Sequence, residues 1–282
     1  MSSIAKKMMQ AAAGAGGVAP WDITSASLTS NKNVTSDGIA NPSGLWVSPD
    51  GSKFYVLDDG AGNDIHEYDL STDFLISTAS FLQKKSVVAS DPFYGSIASP
   101  ADLYIREDGL KVFILNKSTS ALLLPWTFAT AWDVSTLTWD GTRAVLPNDI
   151  ALGVHFKDDG TSFYVCFENG NLIRQYDMST AWDITTASAG STFDHSANVD
   201  QPSSIRFNSD GTQMFLLSSN ELVYGYDLSS AWDISTASYT QVSPSGVFSG
   251  RDTSGQGLTF SGDGAYMYFI GETNDVIDQA TL

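Results

Sequence analysis

The sequence predicts an all-β fold, a five-bladed β-propeller of four-stranded antiparallel blades. Two observations indicate it: related units recur five times along the 282 residues, and each unit contains an Asp-Gly pair between apolar runs. The Asp-Gly pairs begin at residues 50, 108, 159, 210 and 263. Because Asp and Gly tolerate positive φ, such a pair is typical of a tight β-hairpin. Four strands in a repeat of about 40–50 residues are typical of a propeller blade.

The strands of one unit are predicted from three apolar phrases. In the fourth unit SIRF precedes the Asp-Gly pair, QMFLL follows it, and LVYGYDL comes third. A fourth strand such as ASYTQV (237–242) completes the blade. We interpret the Asp-Gly pairs as turns rather than calcium loops, because the ligand spacing of an EF-hand is absent.

A phrase containing Trp-Asp stands between the third and fourth strands. In TAWD and SAWD a Ser or Thr precedes an acid by three residues, which is the capping-box pattern and predicts one helical turn. The Trp is expected to pack on the sheet, and the Asp to cap the turn rather than act as a catalyst. The residues of this repeated feature are Trp21, Trp132, Trp182, Trp232, Asp133, Asp183 and Asp233. Residues 73–76 read DFLI instead, so the helical turn is doubtful there.

The two ends of the chain complement each other. The last unit stops at Leu282 after its third strand, whereas PWDITSAS (20–27) is the end of a unit whose first three strands are missing. We therefore expect residues of about 21–31 to supply the outer strand of the blade formed by 255–282. Residues 21–282 would then form one closed propeller domain.

Composition excludes several classes of function. The chain has 14 Lys and Arg against 32 Asp and Glu, a net charge of −18, which repels nucleic acid and anionic lipid. No run of 18 apolar residues exists, so no membrane insertion is expected. The single cysteine, Cys166, lies in the run SFYVCF and is expected to be a buried thiol.

The successive phrases DGTQMFLL, YDLSS and AWDISTAS resemble a propeller repeat of bacteriophage structural proteins, especially those of marine phages, and of some bacterial surface proteins. The resemblance covers residues 21–282. It implies a non-enzymatic virion protein, a component of the tail or a decoration of the head that takes part in attachment. The alternative is a secreted or cell-surface propeller that binds or hydrolyses carbohydrate.

Residues 1–20 differ in composition from the repeats. Residues 4–13 are compatible with a short helix that ends at Gly14, and ten residues are too few for a stable isolated helix. We interpret this segment as a docking peptide that binds other virion proteins. A weak secretory signal is the competing interpretation. The residues expected to dock are Ile4, Lys6, Lys7, Met8 and Met9.

No catalytic motif is recognisable. The three histidines lack metal-ligand spacing, and neither a nucleophile elbow nor a phosphate loop occurs, so no catalytic residue, metal or cofactor is predicted. His155 lies within a predicted strand and is expected to be a core or inter-blade residue. Partner contacts are expected where the repeat is broken, in the long connections 81–100, 138–149, 189–202 and 239–256. A host glycan or protein is the expected partner there, and a merely solvated loop is the alternative. The candidate rim contacts are Lys84, Lys85, Phe93, Tyr94, Arg143 and Arg251.

Overall fold

The computed structural model describes residues 20–91, 95–97, 99–117, 121–147, 149–248 and 254–282. Five antiparallel sheets of this part of the chain stand around a common axis, and the predicted five-bladed propeller is confirmed. Its helices are 3₁₀ turns of three residues each, and none in the described ranges is long and apolar enough to cross a membrane.

The strands follow the chain blade by blade. The first strand of the described residues, β1 (Ser27–Asn33), belongs to the last blade. Blade 1 contains β2 (Pro42–Val47), β3 (Lys53–Asp58), β4 (Asp64–Leu70) and β5 (Ala79–Ser86). A hairpin of β6 (Ala89–Asp91) and β7 (Gly95–Ile97) follows. Blade 2 contains β8 (Pro100–Ile105), β9 (Lys111–Asn116), β10 (Leu122–Phe128), β11 (Leu137–Trp139) and β12 (Ala144–Val145).

The remaining three blades repeat the arrangement. Blade 3 contains β13 (Ala151–Phe156), β14 (Ser162–Phe167), β15 (Leu172–Met178) and β16 (Ala187–Asp194). Blade 4 contains β17 (Pro202–Phe207), β18 (Gln213–Ser218), β19 (Val223–Leu228) and β20 (Ala237–Val242). Blade 5 contains β21 (Gly255–Phe260), β22 (Tyr266–Gly271) and β23 (Val276–Thr281).

The first strand of each blade is the inner strand of the ring. β2, β8, β13, β17 and β21 contact one another in that cyclic order, and nearly all of their residues are buried. Outer strands such as β1 alternate between exposed and half-buried residues, because one face and one edge meet solvent. The core lies between neighbouring sheets. Cys166 on β14 is fully buried in it, as expected, and burial raises the pKa of its thiol.

The ring is closed by the two ends of the chain, as predicted. β1 pairs antiparallel with β23, placing Asn31 opposite Asp278. The backbone N–H of Val34 adds a hydrogen bond of 2.9 Å to the carbonyl of Asp275. The pairing strand begins at Ser27 and ends at Asn33, so it lies slightly later in the chain than the predicted 21–31, because residues 21–26 form the turn before it.

The Trp-Asp phrase folds differently from the predicted capping box. Trp182 has a φ of +65° and precedes the helical turn, which runs from Ile184 to Thr186. Asp183 is the N-cap, as expected, and accepts a hydrogen bond of 3.1 Å from the backbone N–H of Thr185. Thr180 does not cap the turn, because the turn begins after the Asp. Its N–H instead donates to Thr186 Oγ1, at 3.2 Å.

The divergent copy in blade 1 forms the same helical turn. The expectation that this turn is doubtful where residues 73–76 read DFLI was therefore wrong. Phe74 takes the place of Trp, with a φ of +63°, and its N–H donates to the carbonyl of Gly51 at 2.9 Å. A helical turn follows over Ile76–Thr78. Leu75 cannot cap it, and the N–H of Ile76 is satisfied by Gln279 Oε1 of blade 5, at 2.8 Å.

Blade 2 alone has a divided outer strand. β11 and β12 both pair with β10, and the chain between them leaves the sheet. Pro125 lies on β10 opposite that gap and has no N–H to donate, which explains why pairing is interrupted there.

Candidate functional site: the axial cavity

A cavity of about 510 Å³ opens at the axis, on the face of the propeller that carries the Asp-Gly hairpins. Two sets of structurally equivalent residues line it. We call one the wall ring, from the inner strands: Trp46, Tyr104, His155, Arg206 and Thr259. We call the other the mouth ring, the residues directly before each Asp-Gly pair: Pro49, Glu107, Asp158, Ser209 and Gly262.

The floor of the cavity is an ion pair across the axis. Arg206 Nη1 and Nη2 donate to the two carboxylate oxygens of Asp102, each at 2.9 Å, and the two residues are 2% and 0% exposed. Arg206 also donates to the carbonyls of Val154 at 3.1 Å and Leu45 at 3.2 Å. Asp102 in turn accepts from the N–H of Val154, at 3.0 Å. The pair therefore joins the inner strands of blades 1 to 4.

This ion pair separates the cavity from a second opening on the other face. Asp102 precedes the wall-ring residue of its strand by two positions, so it lies deeper along the axis. The opposite opening is about 490 Å³ and is lined by residues such as Lys117 and Glu168. Blade 1 has Gly44 at the position equivalent to Asp102, and a Cβ there would press on the Asp102 carboxylate. The small residue makes room for the pair.

Two acids of the mouth ring, Glu107 and Asp158, lie on neighbouring blades. Neither forms a salt bridge with any residue that the structure describes. The basic residue before each acid is instead paired with the Asp of its own Asp-Gly turn, Arg106 with Asp108 at 2.6 Å and Lys157 with Asp159 at 2.9 Å. Within the described part of the chain, neither of these two carboxyl groups of the mouth has a counterion.

The electrostatics of the mouth raise the pKa of Asp158. Desolvation by the surrounding atoms, followed by repulsion from Glu107 and Asp159, raises the pKa of Asp158 to about 7. The residue is still exposed at the open mouth, where water screens part of the repulsion. A carboxyl group with this pKa changes charge near neutral pH.

His155 of the wall ring is 7% exposed, and its Nδ1 has no hydrogen-bond partner. The ring stacks on Trp232 at 6.2 Å and meets Tyr104 edge-on at 5.3 Å, so it packs between blades as the sequence indicated. Burial, with a smaller effect from Arg206, holds the pKa of His155 well below its usual value. The imidazole is therefore neutral and can accept a hydrogen bond on one nitrogen.

The two predicted lysine contacts lie on a strand rather than in a loop. The outer strand β5 extends to Ser86, so the connection predicted to begin at residue 81 begins after it. Lys84 Nζ pairs with Asp64 at 2.7 Å, and Lys85 lies half-buried opposite Ile65. The structure thus gives Lys84 a counterion and places both lysines away from the axial cavity.

The other predicted contacts do not come together at the cavity. Arg143 is half-buried in the segment that leaves blade 2 between β11 and β12. The following predicted residues lie outside the described part of the chain: Ile4, Lys6, Lys7, Met8, Met9, Phe93, Tyr94 and Arg251.

The other two histidines, His66 and His195, do not line the axial cavity. His66 is fully buried with neither ring nitrogen hydrogen-bonded, and His195 Nδ1 lies 3.0 Å from the carbonyl of Val199. Among the described residues no group of three His, Cys, Asp or Glu side chains could hold a metal ion.

The sequence analysis assigned no ligand-binding residue to the axial cavity, although a signal for its mouth was present. Aligning the residues before the five Asp-Gly pairs places Glu107 and Asp158 at one repeat position, where the other units have Pro49, Ser209 and Gly262. The acids of the Asp-Gly pairs themselves serve the turns. In each turn that Asp accepts a hydrogen bond from the N–H two residues later, as Asp159 does from Thr161 at 2.9 Å.

The sequence matches no protein-family profile and no curated protein. Solved structures with a similar chain path include a "putative 6-phosphogluconolactonase" from Bacteroides uniformis, at 15% identity and a TM-score of 0.49, covering 83% of this chain and 65% of that one. Another protein so described, from Bacteroides fragilis, has 14% identity and a TM-score of 0.45, with coverages of 71% and 52%.

A protein from Lactobacillus plantarum has 16% identity and a TM-score of 0.45, and the alignment covers 81% of this chain and 63% of that one. This chain therefore spans 65% or less of the length of each of the three. At such identities and TM-scores, the likeness bears on neither the ligand nor the chemistry of this chain.

Proposed function

We propose that this chain is a non-enzymatic structural protein of a bacteriophage particle, anchored by residues 1–20 and presenting the propeller to solvent or to the host surface. The repeat phrases that resemble those of phage structural proteins motivate the proposal. The chain would belong to the tail or decorate the head.

The position at which the chain enters the ring supports this proposal. Pro20 and Trp21 line the axial cavity, and the N–H of Trp21 donates to the carbonyl of Gly264 at 3.1 Å. The segment before Pro20 therefore joins the propeller on the face of the Asp-Gly hairpins. An anchor on that side leaves the opposite face, with the long connections between blades, directed away from the particle.

Incorporation into particles tests the proposal. Phage particles purified on a density gradient should contain the full-length chain and should lack a variant without residues 1–18. Circular dichroism and thermal unfolding of the purified variant control for its folding. Particles that carry the shortened protein at the normal level would contradict the anchoring role.

A secreted or cell-surface propeller that binds or hydrolyses glycans is the second candidate. The observation that favours it is a mouth with two carboxyl groups above an aromatic wall, since aromatic faces suit sugars and a carboxyl group with a pKa of about 7 suits a general acid. A glycan array and hydrolysis assays between pH 5 and 7 with the purified full-length chain test it. Glycan hydrolysis that is lost in Asp158→Asn would favour this candidate over the non-enzymatic virion role.

A further inference from the structure

The axial cavity carries negative charge that the described residues do not neutralise. Glu107 and Asp158 have no counterion, and the one cation in the wall, Arg206, is already held by Asp102. Asp263 adds a third carboxylate to the lining, and its hydrogen bonds come from within its own turn. Because carboxylates crowded at one mouth repel each other, a cation bound there would stabilise their ionised forms.

The lining below the mouth is apolar and aromatic. The rings of Trp46 and Tyr104 meet edge to face with centroids 4.7 Å apart, and Trp21, Phe207 and Phe260 complete the lining. Aromatic faces attract ammonium and guanidinium groups and also cover apolar stems. A ligand with a charged end and an apolar body would match both parts of the cavity.

His155 adds a further ring to the apolar and aromatic lining. It lines the cavity, is more than nine-tenths buried, and stacks on Trp232 at 6.2 Å. Burial holds the pKa of His155 well below its usual value, so the ring brings no positive charge that would repel a cation.

We infer that the axial cavity binds an organic cation, an ammonium or guanidinium group on an apolar stem, with Glu107 and Asp158 facing the charge and the aromatic wall covering the stem. The cavity, at about 510 Å³, is large enough for a small ligand of this kind. This inference is independent of the proposed virion role. A free amine and a Lys or Arg side chain of another protein share the required chemistry.

Isothermal titration calorimetry of the full-length chain with three matched probes tests the chemical class. Pentylamine has the charge and the stem, 1-pentanol has the stem alone, and glucose has hydroxyl groups without charge. Pentylamine should bind about tenfold more tightly than 1-pentanol, and glucose should not compete with it. Equal affinity for 1-pentanol, or preferred binding of glucose, would overturn the inference.

A further probe distinguishes the two sources of the cation. A synthetic peptide of residues 1–20 presents the side chains of Lys6 and Lys7. Tighter binding of the peptide than of pentylamine would support a protein side chain as the natural ligand, and the reverse order would support a free amine. Absence of binding by both would overturn the inference.

Charge variants test the assigned residues. Glu107→Gln and Asp158→Asn should each weaken pentylamine binding about three- to tenfold. Asp200→Asn makes the same charge change on the opposite face and should leave binding unchanged. Ser209→Glu adds a carboxylate at the equivalent mouth position and should strengthen binding, an outcome that misfolding cannot produce. Unaltered affinity in the two mouth variants would overturn the inference.

The pH dependence provides a second readout. The charged groups around Asp158 at the mouth and wall are Glu107, Lys157, Asp159, Arg206 and Asp263. Since the pKa of Asp158 is raised to about 7, its ionisation should strengthen cation binding as the pH rises from about 5.5 to about 8. Asp158→Asn should remove most of this dependence. The same pH dependence in the variant and the wild type would contradict the assignment of Asp158.

Discussion

The indole ring of Trp182 covers Gly160 so closely that a Cβ at position 160 would overlap it. The N–H of Trp182 donates to the carbonyl of Gly160 at 2.8 Å, and φ is positive at both residues, +65° and +70°. The same Trp–Gly contact recurs in blades 2, 4 and 5, and in blade 1 Phe74 takes the place of the Trp. In blade 5 it joins Trp21 to Gly264, so the contact that shapes each blade also holds the two ends of the chain together.

Gly160→Ala should destabilise the fold by about 2–4 kcal/mol, because Ala disfavours the positive φ and its methyl group collides with Trp182. Gly170→Ala is a matched control. Gly170 also has a positive φ, +82°, but nothing lies within 4 Å of the added Cβ, so a loss of about 1 kcal/mol is expected. Urea unfolding measures both, and equal losses would show that the indole contact contributes nothing.

Asp102→Asn should destabilise the fold by about 3–5 kcal/mol, because it leaves the Arg206 guanidinium buried without its counterion. The double variant Asp102→Leu, Arg206→Met should lose less, since apolar residues of similar volume require no counterion. Urea unfolding measures the free energy of unfolding of the single variant and of the double variant. A double variant that is less stable than Asp102→Asn would mean that the ion pair itself stabilises the axis.

Tyr268→Phe should lower the stability by about 1 kcal/mol, because the hydroxyl donates to the carbonyl of Phe74 on the next blade. Blades 2 and 4 have Phe113 and Phe215 at the equivalent position, so the fold tolerates the loss. As a control, Tyr224→Phe alters a hydroxyl whose partner, Asn220, is a surface side chain, and should change the stability by less than about 0.5 kcal/mol. Chemical unfolding that shows equal effects would contradict a role for the inter-blade bond.

Asp158→Asn should change how stability depends on pH. The pKa of Asp158 is raised from 3.8 to about 7 on folding, so the folded chain keeps a proton that the unfolded chain releases between about pH 4 and pH 7. The contribution of Asp158 to stability therefore falls as the pH rises through this window, by an amount that water at the open mouth reduces. Thermal unfolding of the wild type and of Asp158→Asn between about pH 4 and pH 7 should show this difference. Unfolding temperatures of the two proteins that change in parallel with pH would contradict the raised pKa of Asp158.

Much of the fold was predictable because each blade uses the same residue types for its hairpin turn and for the turn before its outer strand. The Asp-Gly pairs identified five hairpins, and the isolated phrase at Trp21 identified the closing strand. The position of the helical turn was not predictable from the capping-box pattern. Trp182 adopts a positive φ that an isolated peptide would avoid, and its tertiary contacts with Gly160 and with the Phe156 ring compensate for this.

The cavity was harder to predict than the fold, because its residues come from different blades. Asp102 and Arg206 are 104 positions apart, and each resembles an ordinary strand residue until the inner strands are placed around one axis. His155 was correctly expected to pack between blades, but its exposure to a cavity depends on the diameter of the ring. The five repeats give the number of blades, but they do not show which side chains of the inner strands reach the axis.

Thermal unfolding of two N-terminal deletions tests the closed ring most directly. A chain without residues 1–18 should unfold within about 2 °C of the full-length protein, because the described seam begins at Trp21. A chain without residues 1–34 loses the Trp21 contact and all of β1, and should unfold at least about 10 °C lower or fail to fold. Equal unfolding temperatures for the two deletions would show that the strand from Ser27 to Asn33 does not close the ring.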